Sequence, residues 1–162
     1  MSQTPELTHL QPDGTPRMVD VGHKSTTHRS AVARGRIRLP ENLDLQPLTG
    51  ELVTAKGSVL HTAIIAGTQA VKRTADLIPF CHPLPVESIH FTHRFLENCE
   101  LELTCEVSLT HKTGVEMEAL TGVSVALLTV YDMCKSAGQD MVMHSIEILK
   151  KSGGKANIDK TR

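Results

Sequence analysis

Hydrophobic and polar positions alternate strictly in SAVARGRIRL, Ser30 to Leu39. Ala31, Ala33, Gly35, Ile37 and Leu39 fall on one side, Arg34, Arg36 and Arg38 on the other. A period of two sends successive side chains to opposite faces, so this stretch predicts a half-buried strand with a basic outer face. The period then lengthens. Val59, Leu60, Ala63, Ile64, Gly67, Ala70 and Val71 recur at helical spacing, with Ser58 placed to cap the N-terminus and Pro79 beyond the C-terminal end. Alternation returns twice more. Ile89, Phe91, His93 and Phe95 share one face of VESIHFTHRF, and Leu101, Leu103, Cys105, Val107 and Leu109 share one face of ELELTCEVSLT. The short connection at Glu97 to Cys99 predicts a hairpin between them. TGVEMEALTGVSVALLTVYDMCKSAG opens with the capping-box pattern Thr113-x-x-Glu116, is apolar nearly all round and stops near Gly138, which predicts a buried central helix. MVMHSIEIL predicts a last strand.

Strand, helix, strand, strand, helix, strand is the order βαββαβ. It predicts an α+β, ferredoxin-like subunit: a four-stranded antiparallel sheet with two long helices on one face. The polar, aperiodic residues 1–27 predict an N-terminal arm, residues 28–151 a single domain, and residues 152–162 a flexible basic tail. Residues 40–50 are turn-rich. The second sheet face would carry Arg34, Arg36 and Arg38 beside Glu102, Thr104 and Glu106. With the long arm, this predicts self-association, because a sheet face must meet water or another chain.

Composition narrows the function. Seventeen Lys and Arg against eighteen Asp and Glu leave no global field for nucleic acid or an anionic membrane, so any anion site is a local cluster. Four cysteines without CxxC spacing, and an N-terminus without an apolar signal core, point to a reduced cytosolic protein. The run ALTGVSVALLTVYDM falls short of the ~20 apolar residues of a membrane span. Three Phe, one Tyr and no Trp remove the stacking platform of an RNA-binding sheet.

LIPFCHPLP, Leu77 to Pro85, sets Cys81 beside His82 among three prolines. A metal site, a thiol nucleophile with its base, and a pocket wall compete for it. Adjacent residues rarely ligate one ion, and His90 and His93 point to opposite faces of a strand, so no closed ligand set emerges and no metal is assigned. Apolar neighbours raise a thiol's pKa, which weakens the nucleophile. A proline-stiffened wall with His82 at its rim remains. On the second helix, Asp132 and Lys135 share a face three residues apart and would shift each other's pKa; an exposed salt bridge is the plainer alternative. Glu116 and Glu118 lie about 200° apart around a regular helix, so both cannot face one ligand from it. Lys56 precedes the first helix, where free N–H groups favour phosphate, and Lys72, Arg73, Lys112, Lys150, Lys151 and Lys155 could add to that anion site.

Taken together, MVDVGHK, KGSVLHTAIIAGTQAVKRTADLIPFCHPLP, KTGVEMEALTGVSVALLTVYDMCK and KSGGK resemble the MoaC family of molybdenum cofactor biosynthesis, from about Leu7 to about Ala156. The resemblance implies a cytoplasmic lyase, a homohexamer built as a trimer of dimers with its active sites at the dimer interface. The implied substrate, 3′,8-cyclo-7,8-dihydroguanosine 5′-triphosphate, is supplied by a radical S-adenosylmethionine enzyme; the products are cyclic pyranopterin monophosphate and diphosphate. By position, it implies that Asp132 is an acid/base group with Lys135 and Lys56 as its lysine partners. It likewise implies substrate binding by Phe80, Cys81, His82, Met117, Glu118 and Glu116, and triphosphate contacts from Lys24, Arg29 and Lys151. Phe80 departs slightly from the family, where Leu is frequent before the Cys. No resident cofactor is implied, Mg²⁺ with the triphosphate being left open. The alternative is a non-catalytic ferredoxin-like module that binds a nucleotide or effector between subunits; convergence of Asp132, Lys135 and Lys56 on one pocket would favour the enzyme.

Overall fold

A computed structural model describes residue 11, residues 13–43 and residues 51–160. Residues 1–10 of the expected arm and 44–50 of the turn-rich segment lie outside the described residues. In chain order the elements are β1 (Thr27–Arg38), β2 (Val53–Thr54), β3 (Gly57–Ser58), α1 (Val59–Lys72), α2 (Thr74–Leu77), β4 (Ser88–Leu96), β5 (Glu100–His111), α3 (Glu116–Cys134), β6 (Val142–Ser152) and β7 (Ile158–Asp159). The protein is α+β. Its main sheet is antiparallel throughout, in the order β4-β5-β1-β6-β7, and β2 and β3 form a separate two-stranded hairpin.

The alternation read from the sequence sets this sheet. Ala31, Ala33 and Ile37 of β1, and Leu101, Leu103, Cys105, Val107 and Leu109 of β5, are fully buried on one face. Ala119, Val123, Ala126, Leu127 and Val130 of α3 cover them. By length and composition α3 would pass for a membrane span, but its apolarity is that of a core helix lying between the sheet and α1. The two helices approach closely because both carry glycine at the crossing. A Cβ on Gly67 would lie 2.8 Å from the Gly122 carbonyl oxygen and 2.6 Å from Phe91.

On the opposite face the basic and acidic rows meet within one chain. Glu102 is 4 % exposed, accepting from Arg36 Nε at 2.8 Å and from Arg94 Nε at 2.7 Å. Burial alone would raise its carboxyl, but the two arginines outweigh it and hold the group below the usual carboxylate value. Arg34 pairs with Glu147 of β6.

Several expectations change. The sheet has a fifth strand, because the segment expected as a flexible tail turns at residues 153–156 and returns as β7 against Lys150 and Lys151. Gly153 permits the turn: its φ is +84°, and a Cβ there would lie 1.9 Å from the His28 carbonyl oxygen. The short hairpin β2–β3 and the single-turn α2 are too brief for their periods to show in the sequence. Ser58 caps α1 as expected, its hydroxyl accepting from His61 N. The capping box on α3 does not form: the N-cap is Val115, without a side-chain bond, and Glu116 bonds Lys151 instead. The β4–β5 connection turns through Asn98 and Cys99, both with positive φ, the geometry of a tight hairpin turn that follows the strand twist.

Candidate functional site

The candidate residues gather at the two ends of α3. At its C-terminal end, the β2–β3 turn delivers Lys56 to the last turn of the helix. Lys56 Nζ donates to the Asp132 main-chain oxygen at 2.9 Å and stands 3.5 Å from its carboxylate; Lys135 Nζ donates to Asp132 Oδ1 at 2.7 Å. The i,i+3 spacing of Asp132 and Lys135 therefore does bring them together. The hydrogen bond from Lys135, then the charges of Lys135 and Lys56, hold the Asp132 carboxyl below its ordinary value, and the same bond raises the Lys135 ammonium. All three side chains are about half exposed, so this triad stands on an open surface. Lys56 Nζ is thus turned to the C-terminal end of α3.

At the N-terminal end of α3, the LIPFCHPLP segment does form a wall. Phe80, Cys81, His82 and Leu84 face Glu116, Met117 and Glu118 across a cavity of about 360 Å³, closed on a further side by Val19, Val21 and Lys24. Glu116 and Glu118 both line this cavity despite their angular separation. Glu118 is 4 % exposed, and burial, with Glu116 adding like charge, pushes its carboxyl up to about 7. Burial first, then Glu118, raises the Cys81 thiol, which makes it a poor nucleophile at neutral pH. Among the described residues no three of His, Cys, Asp and Glu gather as metal ligands.

A larger cavity of about 800 Å³ adjoins the first, sharing Lys24, Thr113, Gly114 and Glu116 with it. Its cations are Lys24, Arg29, Lys112, Lys151 and Lys155, against the single carboxylate Glu116. Lys151 Nζ bonds Glu116 at 2.9 Å, and Arg29 Nε donates to the His111 carbonyl at 3.4 Å. Lys24 and Lys155 make no ion pair among the described residues. Such an excess of positive charge in a concave site suits a polyanion. Lys112, Lys151 and Lys155 thus belong to this end of α3, far from Lys56, while Lys72 and Arg73 line a separate hollow behind Leu84 and Lys150 faces Asp159. The arm residues Val19 and Val21 are the main omission of the sequence reading. Their signal, two apolar positions alternating with Asp20 in a polar segment, is present in MVDVGHK.

At ~1.5 Å per helical residue, the span from Glu116 to Asp132 separates the two ends by roughly 24 Å.

The model of the MoaC family matches residues 18–154. Over 157 residues the chain is 48 % identical to the cyclic pyranopterin monophosphate synthase of Xanthomonas axonopodis pv. citri, covering 97 % of this chain and 95 % of that protein. The synthase of Thermomicrobium roseum is 51 % identical over 154 residues, with 93 % and 90 % covered. A molybdenum cofactor biosynthesis bifunctional protein of Synechocystis sp. is 48 % identical over 160 residues, which make up 96 % of this chain and 46 % of that protein.

Proposed function

The chain belongs to the MoaC family, and from that premise we propose that it is a cyclic pyranopterin monophosphate synthase of molybdenum cofactor biosynthesis. It is a lyase that converts 3′,8-cyclo-7,8-dihydroguanosine 5′-triphosphate to cyclic pyranopterin monophosphate and diphosphate. The observation that carries the reading is the pair of adjoining cavities, one cationic and one half-apolar with His82 and Glu118 in its wall. In this reading the larger cavity holds the triphosphate through Lys24, Arg29, Lys151 and Lys155. The smaller one holds the purine-derived rings between Phe80, Cys81, His82 and Met117.

The reaction opens and recloses the ring system while a sugar oxygen attacks the α-phosphorus and diphosphate leaves. It needs cations where charge develops and groups that give and take protons. We assign proton transfer to Lys56 and Lys135, Asp132 orienting Lys135, and binding of the ring system to Glu116 and Glu118.

One chain does not hold both ends of α3 against one substrate. The separation of roughly 24 Å and the open triad support a site shared by two copies, the triad of one meeting the cavities of the other across a two-fold axis. We therefore propose dimers with interfacial sites, assembled as a cytoplasmic homohexamer and supplied with substrate by a radical S-adenosylmethionine enzyme. The four long strands with α1 and α3 are read as a ferredoxin-like core, the catalytic domain of residues 28–151. No resident metal or cofactor is assigned, and Mg²⁺ with the triphosphate stays open. Lys56, Asp132 and Lys135 meet one another but line neither of the two cavities of their own chain, so the enzyme reading over an effector-binding module rests on the family and on the shared-site arrangement.

The test is product analysis. Purified protein given the cyclic triphosphate is expected to yield cyclic pyranopterin monophosphate and diphosphate by mass spectrometry; unchanged substrate would refute the assignment.

A further inference from the structure

Among the described residues, a side chain from beyond β5 hydrogen-bonds the arm segment that lines both cavities. Lys112, just beyond β5, donates from Nζ to the main-chain oxygen of Gly22 at 2.7 Å. Gly22 is the centre of a small folded unit: its own N–H donates to Asp20 Oδ1 at 2.8 Å, and Lys24 N donates to Val21 O at 3.1 Å. Fixing the Gly22 carbonyl therefore fixes the whole unit. On one side of it Val19 and Val21 line the smaller cavity; on the other His23, Lys24 and Ser25 line the larger one. Asp20, Gly22 and His23 are exposed, and Val19 and Val21 are only partly buried, so apolar burial by itself holds the unit weakly. The same end of β5 also holds Arg29, which donates to the main-chain oxygens of His111 and Lys112.

We propose that Lys112 is a positioning residue: it latches the segment Val19–Lys24 over the cationic cavity and so aims Lys24 at the bound polyanion. The proposal rests on the triphosphate reading for the identity of that anion, but the latch itself is testable without substrate. A charged donor on a carbonyl makes a strong, directional hold, and Lys112 places its ammonium on the arm, whereas Lys24 and Lys155 make no ion pair among the described residues.

The experiment is trypsin cleavage of the full chain without ligand, following the sites after Arg17 and Lys24 by mass spectrometry. Lys112→Met is expected to speed cleavage at both sites by about tenfold with an unchanged melting temperature, and Lys112→Arg to restore the slow rate. In turnover, Lys112→Met should raise KM by a larger factor than it lowers kcat, again with rescue by arginine. Arm cleavage in Lys112→Met at the wild-type rate would overturn the latch. So would unchanged cleavage combined with weaker protection by inorganic triphosphate, because Lys112 would then be a direct phosphate ligand. Faster arm cleavage in Lys112→Met, with no protection of the wild type by inorganic triphosphate and no turnover, would uphold the latch and sink the triphosphate reading alone.

Discussion

Glu118 shows what a single burial decision does to chemistry. Its carboxyl lies in the first turn of α3 with no cation bonded to it among the described residues, and burial lifts it to about 7. In the unfolded chain the group ionises near its ordinary value of 4.5. Between those values the folded state binds the extra proton, so stability falls as pH rises through this window and levels off above it. Glu118→Gln is expected to flatten that dependence and to exceed the wild type above pH 7 by up to ~3 kcal/mol, as measured by urea unfolding from pH 5 to 9. Wild type and variant losing stability in parallel would show that the carboxyl is not held neutral. Asp132 is the opposite case, an exposed carboxylate kept ionised by Lys135 and then Lys56. Asp132→Asn should leave the melting temperature in place and lower kcat by roughly two to four orders of magnitude. Both residues were legible in the sequence as candidates. Their difference in burial was not, since Glu116 and Glu118 look equivalent until Lys151 bonds one and the core encloses the other.

At the scale of elements, hydrophobic period set β1, α1, β5 and α3, each of which buries a face in the core, while β4 packs its alternate face only partly and β6 leaves Val142, Met143 and Ile146 exposed. The capping box failed for a physical reason: Lys151 arrives from β6, 35 residues away, and takes the Glu116 carboxylate that would have bonded the helix start. Helix spacing depends on glycines that no period marks. Gly67→Ala would drive a Cβ to 2.8 Å from the Gly122 carbonyl oxygen. It is expected to cost about 1–3 kcal/mol in urea unfolding, because backbone cannot yield as a side chain can. A neutral result would mean that α1 and α3 move apart freely.

The whole molecule carries the prediction that depends on two copies. If the triad at one end of α3 serves the cavities of a partner, Arg29→Ala and Asp132→Asn damage different halves of each shared site. Each variant alone should be nearly inactive. Refolded together, mixed dimers hold one intact site apiece, and random pairing should return about a quarter of wild-type activity. Absence of recovery, with mixed dimers verified by native mass spectrometry, would place the site within one chain.

The sequence by itself determined the family, the order of the long elements, the central apolar helix and the residue types of the candidate site. These follow from period and from long local motifs, which need no knowledge of the rest of the chain. Tertiary structure alone decided that Lys112, Lys151 and Lys155 lie at one end of α3 and Lys56 at the other, that Glu118 is buried, and that residues 158–159 close the sheet as β7. Electrostatic partners and desolvation depend on distances between segments far apart in the chain, and only packing fixes those distances.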